Sequence, residues 1–179
     1  MSDQPRVVLL DRDGVLNRQP PHGYLTSHEQ WQWLPGAREA CARLTACGHR
    51  LAVVTNQSAV ARGLLRIAEL DLIHRRMCRE LAEIGVQIWP VLYCPHHPRE
   101  GCPCRKPEPG MLLEALRMLD AAPDQAVMVG DHTVDLEAAN RVGCRSVHVR
   151  SGRGHDQPFP PSCMGSVADL IAAVPLLTG

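Results

Sequence analysis

Five short apolar segments alternate along the chain with segments whose apolar residues recur at helical spacing. Near-continuous apolar runs of this kind are typical of strands that are buried on both faces of a parallel sheet. The apolar segments are residues 7–10, 51–54, 91–93, 126–129 and 146–149, and the helical ones are residues 36–46, 67–83, 110–119 and 135–141. Because helices that join parallel strands form right-handed crossovers, the pattern predicts a three-layer α/β fold with a doubly wound parallel sheet.

Length and composition predict one globular domain over residues 1–179. Lys plus Arg and Asp plus Glu both number 19, so no charge excess favours nucleic acid or an anionic membrane as a partner. No apolar run is long enough to span a bilayer, and no signal-peptide core precedes the first strand. We therefore expect a cytoplasmic protein, with a monomer as the default. Residues 152–165 are rich in Gly and Pro and predict a surface loop, followed by a short helix over 167–174.

The first apolar segment ends in Asp11-Arg-Asp13-Gly14, which places two carboxylates at alternate positions where a strand stops. One such Asp can act as a nucleophile and the second as a proton donor, while the glycine lets the backbone pass close to a ligand. A solvated turn or a calcium loop is the alternative. A calcium loop needs further oxygen ligands and a closing Glu, which Val15-Leu-Asn17 does not supply. The motif therefore favours phosphoryl transfer.

Polar residues also follow the later strands, at the edge of a parallel sheet where ligands bind. Thr55 can donate a hydrogen bond to a phosphoryl oxygen, and Asp131 can complete a Mg²⁺ site with Asp11 and the backbone carbonyl of Asp13. Lys106 offers the positive charge that lets carboxylates and a phosphate share one cavity. Taken singly, Thr55 equally fits a strand-end hydrogen bond, and Asp131 equally fits a helix cap.

Three of the eight cysteines cluster with a histidine, whereas the other five are scattered through predicted helices and strands as expected of buried apolar thiols. The cluster is Cys94, His96, Cys102 and Cys104. Three thiolates and an imidazole make a complete tetrahedral set for Zn²⁺, and a closed set leaves no position for a reacting water. We therefore predict a structural zinc loop over residues 94–104. The alternative is a loop of reactive, oxidation-prone thiols.

The order of these motifs resembles the haloacid dehalogenase superfamily of aspartate-nucleophile phosphatases. The matching motifs are Asp11-x-Asp13-Gly14, Thr55, Lys106 and Gly130-Asp131-x-x-x-Asp135. The resemblance implies a fold without a large cap domain, an aspartyl phosphate on Asp11, and Asp13 as general acid and base. It also implies a Mg²⁺ cofactor on Asp11, Asp13 and Asp131, with Thr55 and Lys106 stabilising the transferring phosphoryl group. Asp135 either assists the metal or starts the next helix.

Segments around the zinc loop narrow the resemblance to the branch of the superfamily that acts on heptose bisphosphates and histidinol phosphate. They are His22-Gly-Tyr24, Thr55 to Gly63, Cys94 to Pro98 and Cys104 to Met111. The heptose enzymes are the closer match. They imply Mg²⁺-dependent removal of the 7-phosphate of D-glycero-D-manno-heptose 1,7-bisphosphate, in the nucleotide-activated heptose biosynthesis that serves lipopolysaccharide or another glycoconjugate. A histidinol-phosphate phosphatase is the alternative, and a phosphoacceptor signalling domain is an alternative of another class.

The same branch implies a set of substrate contacts: His22, Gly23, Tyr24, Asn56, Gln57, Ser58, Arg105 and His132. Arg105 is predicted to hold the remote phosphate because a planar guanidinium suits phosphate oxygens, and Arg62 is a second candidate. The family often has lysine where this chain has His132. Because histidine is positive only when protonated, we expect substrate affinity to fall toward alkaline pH. The chain also departs from the family at Pro20-Pro21.

Overall fold

The computed structural model describes residues 6–20, 23–153 and 158–179, and these form a six-stranded sheet with helices on both faces. The strands are β1 (Val7–Leu10), β2 (Arg50–Asn56), β3 (Ile88–Cys94), β4 (Ala126–Gly130), β5 (Arg145–Val149) and β6 (Cys163–Val167). The helices are α1 (Ala37–Ala46), α2 (Ile67–Ala82), α3 (Gly110–Met118), α4 (Thr133–Val142) and α5 (Leu170–Thr178). The predicted three-layer α/β class is confirmed.

The strand order, β3-β2-β1-β4-β5-β6, creates a topological switch point beside β1. All neighbouring strands are parallel. The chain first moves outward from β1 to β3 and then returns through α3 to pair β4 with the other side of β1. Leu10 at the end of β1 pairs with Val53 of β2 and with Val129 of β4. Side chains that follow these three strands therefore meet in the crevice where ligands bind in such sheets.

The strand β1 supplies alternate side chains to two separate cores. Val8 and Leu10 pack in a cluster with buried residues of α1, α2 and α5, whereas Val7 and Leu9 pack in a second cluster with α3 and α4. All four residues are fully buried. Both faces of the sheet are thus covered, which explains why β1 reads as a continuous apolar run rather than an alternating one.

Two features differ from the sequence prediction. The Gly- and Pro-rich loop is shorter than predicted, because residues 163–167 form β6 and pair with β5. The last helix begins at Leu170 rather than at 167, because the side chain of Asp169 accepts a hydrogen bond from the Ala172 amide at 3.0 Å and so caps it. Among the described residues, no large cap domain is present, and no helix is long and apolar enough to cross a bilayer.

Candidate active site

The polar residues at the strand ends line one cavity of about 550 Å³ at the carboxyl edge of the sheet. The cavity brings together all the sequence-predicted catalytic, magnesium and substrate residues except His22, which lies outside the described residues. These are Asp11, Asp13, Gly23, Tyr24, Thr55, Asn56, Gln57, Ser58, Arg105, Lys106, Asp131 and His132. The zinc-loop residue Cys102 also lines the wall, so the predicted metal loop borders the cavity.

Lys106 is the buried cation of this cavity, with only 2% of its surface exposed. Its Nζ atom lies 3.0 Å from Asp11 Oδ1 and 2.7 Å from Asp135 Oδ1, and it donates to the Val54 carbonyl at 2.6 Å. Burial alone would lower the pKa of Lys106, but the charges of Asp11 and Asp135 outweigh it and raise the pKa above its usual value. Lys106 is therefore a permanent positive charge that fixes one oxygen of Asp11.

Three buried carboxylates, those of Asp11, Asp131 and Asp135, have oxygen atoms within 4.8 Å of one another. Burial raises the pKa of Asp11 to about 6 against the opposing charge of Lys106, and it raises the pKa of Asp131 to about 8 with added repulsion from Asp11 and Asp135. With Asp13, four carboxylates face the two buried cations Arg12 and Lys106. This excess of negative charge and the oxygen-only donor set fit a divalent cation such as Mg²⁺.

Asp135 combines the two roles that the sequence left open. Its Oδ2 accepts a hydrogen bond from the His132 amide at 3.1 Å, as expected of a residue that starts α4. Its Oδ1 pairs with Lys106, and the same carboxylate belongs to the acidic cluster. Asp135 therefore caps the first turn of the helix, which begins at Thr133, and also holds the lysine that contacts Asp11.

Asp13 sits in a dense network of donors. Its Oδ1 accepts from Asn17 at 2.9 Å, its Oδ2 accepts from Gln57 at 2.8 Å, and Arg12 Nη2 donates to both oxygens at 3.1 and 2.9 Å. Burial alone would raise the pKa of Asp13, but the Arg12 charge and these hydrogen bonds outweigh it and hold the pKa below its usual value. In the free protein Asp13 is thus an oriented carboxylate.

The residues at the carboxyl end of β2 and just beyond it hold catalytic neighbours in place. Asn56 pairs both ends of its carboxamide with the Lys106 backbone, accepting from the amide at 3.1 Å and donating to the carbonyl at 3.0 Å. Gln57 donates to Asp13 and to Thr55 Oγ1, the latter at 2.9 Å. Because Thr55 already accepts this hydrogen bond, its own hydroxyl proton is free to be donated into the cavity. Asn56 therefore positions the Lys106 backbone, and Gln57 positions the side chains of Asp13 and Thr55. Ser58 lines the cavity wall.

Asp131 is held by contacts from β5 and from the loop that follows it. The Arg153 amide donates to Asp131 Oδ2 at 2.8 Å, and His148 Nε2 lies 3.2 Å from the Asp131 carbonyl. A side chain at Gly14, where φ is +83°, or at Gly152 would collide with the Asp131 carboxylate. Sequence analysis missed this contact, although Ser151-Gly-Arg153 is a polar cluster at a strand end like the others. The two glycines therefore allow close packing around the predicted metal ligand.

The outer part of the cavity carries two arginines. Arg105 has a buried Nη1 atom without a hydrogen-bond partner among the described residues, and Arg153 lines the same cavity with its guanidinium against Gly23. The second candidate from the sequence, Arg62, is exposed and lies 5.8 Å from the centre of the Tyr24 ring. Arg62 does not line the cavity among the residues described, so Arg153 is the better placed of the two.

His132 is exposed at the cavity rim and caps α4. Its Nδ1 accepts a hydrogen bond from the Val134 amide at 3.3 Å. The imidazole therefore satisfies a backbone donor at the start of α4 while it lines the cavity.

The predicted zinc ligands lie together at the mouth of the cavity. Cys94 Sγ is 3.5 Å from both Cys102 Sγ and His96 Nδ1, Cys104 Sγ is 3.5 Å from Cys102 Sγ, and His96 Nδ1 is 3.2 Å from Cys104 Sγ. A tetrahedral Zn²⁺ with bonds of about 2.3 Å to sulfur separates its ligands by roughly 3.8 Å. The donor set and its spacing therefore fit Zn²⁺.

Comparisons with known proteins agree with this geometry. A family model described as HAD-hydrolase-like matches residues 103–169. A D-glycero-beta-D-manno-heptose-1,7-bisphosphate 7-phosphatase from Pseudomonas putida is 42% identical over 149 residues, which cover 83% of this chain and 85% of the relative. A D-glycero-alpha-D-manno-heptose-1,7-bisphosphate 7-phosphatase from Mycobacterium bovis is 42% identical over 148 residues, which cover 79% and 78%.

A solved structure is similar over nearly the whole chain. It is the D,D-heptose 1.7-bisphosphate phosphatase from Bordetella bronchiseptica complexed with magnesium and phosphate, with a TM-score of 0.89 and 38% identity over 96% of this chain and 97% of that one. Relatives named as phosphatases favour an enzyme over the signalling domain that sequence analysis left open. The chain belongs to the heptose-1,7-bisphosphate 7-phosphatase family of the haloacid dehalogenase superfamily and is a phosphoric monoester hydrolase.

Proposed function

We propose that this protein removes the 7-phosphate of D-glycero-D-manno-heptose 1,7-bisphosphate through an aspartyl phosphate on Asp11, with Mg²⁺ as cofactor, in nucleotide-activated heptose biosynthesis. The observation that carries the proposal is the carboxylate of Asp11 at the base of the cavity, with Lys106 on one oxygen and Asp131 beside it. The names of the relatives support the heptose bisphosphate as substrate.

Asp11 is suited to nucleophilic attack because Lys106 holds its Oδ1 at 3.0 Å and restricts its rotation. The attacking oxygen forms a bond to phosphorus as the bond from phosphorus to the sugar oxygen breaks. The carboxylates of Asp11 and Asp131 and the carbonyl of Asp13 would hold Mg²⁺, which would supply positive charge to the phosphoryl oxygens. Lys106 and the free hydroxyl proton of Thr55 stabilise the same oxygens.

Asp13 is suited to move the proton because it lines the cavity two residues beyond the nucleophile. It protonates the departing sugar oxygen and later accepts a proton from the water that cleaves the aspartyl phosphate. The free protein holds Asp13 as a carboxylate. A dianionic phosphate beside it acts in the opposite direction and favours the protonated form, so we expect proton uptake to accompany substrate binding.

The second phosphate of the substrate needs a cation away from Asp11. Arg105 has an unpartnered buried Nη1, and Arg153 reaches the cavity from the loop after β5. Lys106 cannot serve, because its ammonium lies 3.0 Å from Asp11, where the transferring phosphate binds. We assign the remote phosphate to Arg105 and Arg153, whose planar guanidinium groups match phosphate oxygens.

The zinc loop has a structural role in the proposal. Its four ligands are all protein side chains, so a bound Zn²⁺ keeps no position for water. Arg105 follows Cys104 directly, so the metal holds the loop that presents Arg105 to the cavity. Within residues 1–179 we regard the loop at 94–104 as part of one domain. A cytoplasmic location and a monomeric state stay predictions.

The test is phosphate release with Mg²⁺ from three compounds in parallel: the α and β anomers of D-glycero-D-manno-heptose 1,7-bisphosphate, and histidinol phosphate. Relatives at the same 42% identity carry both anomers in their names, so the anomer has to be measured. A strong preference for one heptose anomer supports the proposal. A preference for histidinol phosphate refutes the substrate and leaves the roles of Asp11 and Asp13 standing.

A further inference from the structure

Arg12, the residue between the two catalytic aspartates in the sequence, has a buried guanidinium. The side chain of Arg12 is fully buried, and its Nη2 atom donates to both oxygens of Asp13. Its Nη1 atom lies 3.1 Å from Nε2 of His74 on helix α2, a residue 62 positions away in the sequence. Neither Arg12 nor His74 has a part in the mechanism described above.

His74 acts as an acceptor in this contact. A guanidinium can only donate hydrogen bonds, so Nε2 of His74 accepts and its ring proton resides on Nδ1. Burial lowers the pKa of His74 to about 3, with a further contribution from the Arg12 charge, so the ring is neutral. The imidazole is on the buried side of α2 and packs against Tyr93, whose ring centre is 5.6 Å away.

The contact matters because Arg12 has few ways to satisfy its charge. The Arg12 Nε atom has no partner among the described residues, so Asp13 and His74 supply the side-chain partners of its guanidinium. Removing the His74 acceptor leaves a buried charged donor unpaired, which is costly in an apolar surrounding. Arg12 would then shift toward another acceptor and release its hold on the Asp13 carboxylate.

We propose that His74 and Arg12 form a positioning pair for the general acid: His74 fixes the Arg12 guanidinium, and Arg12 fixes the orientation of Asp13 toward the leaving oxygen. The inference rests on the proposed function of Asp13. His74 is a positioning residue, since it contacts Arg12 and does not line the cavity among the residues described.

The pair can be tested by the leaving group. A sugar alkoxide needs a proton as it departs, whereas p-nitrophenolate is stable enough to leave without one. The ratio kcat/KM reports the steps up to departure of the leaving group, so it isolates proton donation from the later hydrolysis of the aspartyl phosphate. We would compare His74→Leu with the wild type on the heptose bisphosphate and on p-nitrophenyl phosphate.

We expect His74→Leu to lower kcat/KM for the heptose bisphosphate by about 10- to 100-fold, because general acid catalysis contributes roughly 10²- to 10⁴-fold and is only partly lost. By the same reasoning, kcat/KM for p-nitrophenyl phosphate should change by less than about threefold. His74→Gln offers a side-chain oxygen near the position of Nε2 and should restore most of the loss. His49→Leu, at another buried histidine away from the cavity, is the matched control and should spare the substrate preference.

Each outcome decides one claim. An equal loss on both substrates in His74→Leu means a general structural defect and overturns the pair, as does a His74→Gln variant no better than leucine. If His74→Leu fails to fold, the same substrate comparison on His74→Gln and Arg12→Lys decides. Asp13→Asn must likewise lose more kcat/KM on the heptose bisphosphate than on p-nitrophenyl phosphate. If it does not, the proposed role of Asp13 is wrong. If the wild type does not hydrolyse the heptose bisphosphate, the proposed substrate is wrong. Histidinol phosphate then replaces it as the alkyl phosphate in the comparison with p-nitrophenyl phosphate.

Discussion

Replacing Lys106 with methionine should destabilise the fold far more than the loss of an ordinary ion pair. The Nζ atom lies 3.0 Å from Asp11 and 2.7 Å from Asp135, and all three side chains are at most 13% exposed. Breaking a buried pair by removing one partner costs about 3–5 kcal/mol, because the remaining charge is left uncompensated. We therefore expect the free energy of unfolding of Lys106→Met to fall by about 3–5 kcal/mol at pH 8 without Mg²⁺.

The pH dependence of this loss has a definite sign. Burial already raises the pKa of Asp11 to about 6 with Lys106 present, and removing the lysine raises it further. A carboxyl whose folded pKa lies above its unfolded value loses stability as pH rises toward the folded pKa. The destabilisation should therefore shrink between pH 8 and pH 6, by up to about 1.4 kcal/mol for each pH unit and each additional bound proton.

Urea unfolding of the zinc-loaded protein without added Mg²⁺, at pH 6 and pH 8, measures both effects. Arg141→Met is the matched control, because Arg141 pairs with Glu108 at 2.7 Å with both side chains more than 40% exposed. Exposed pairs contribute about 1 kcal/mol or less. A Lys106→Met variant that loses no more stability than Arg141→Met, or that loses the same amount at both pH values, would refute the reasoning.

Four further predictions address catalysis and metals. Asp11→Asn should lower turnover by about 10³-fold or more and abolish the phosphoenzyme seen by mass spectrometry; near-normal turnover would exclude Asp11 as the nucleophile. Mg²⁺ affinity should fall by about tenfold per pH unit below pH 8, because the cation displaces a proton from Asp131; calorimetry in two buffers would detect that proton, and its absence would count against the site. Cys102→Ser should lose zinc by elemental analysis and roughly 5–10 °C in Tm, and wild-type protein without zinc would refute the structural loop. His132→Lys should lower KM, because it places a permanent positive charge at the cavity rim, and an unchanged KM would exclude the rim position as a contact for phosphate.

The parts of the site that sequence predicted are those set by strand ends. Asp11, Thr55 and Asp131 each follow a buried apolar run, and the parallel register brings those ends together. The pairing of Lys106 with Asp135 was missed because it depends on how the loop after the zinc cluster returns to the sheet. That path is fixed by tertiary packing, including the two hydrogen bonds from Asn56.

Other features had a weak signal or none. His74 lies on the apolar stripe of α2 with Leu70, Ile73 and Met77. The helical spacing of these residues in the sequence therefore predicts that the polar His74 is buried. Strand β6 had no such signal. Its residues are only partly buried and pair with β5 alone, as expected of an edge strand without a strong apolar pattern.

Lys106 is the only lysine in the chain, which has 18 arginines. The single side-chain amine of the protein is therefore buried, protonated and hydrogen-bonded at the base of the cavity. Amine-acylating reagents act on the neutral, accessible form, so Lys106 should resist them until this region opens. Acylation of Lys106, followed by mass spectrometry, would report the rate at which its buried ion pairs open, with one natural side-chain probe per molecule and no engineered label.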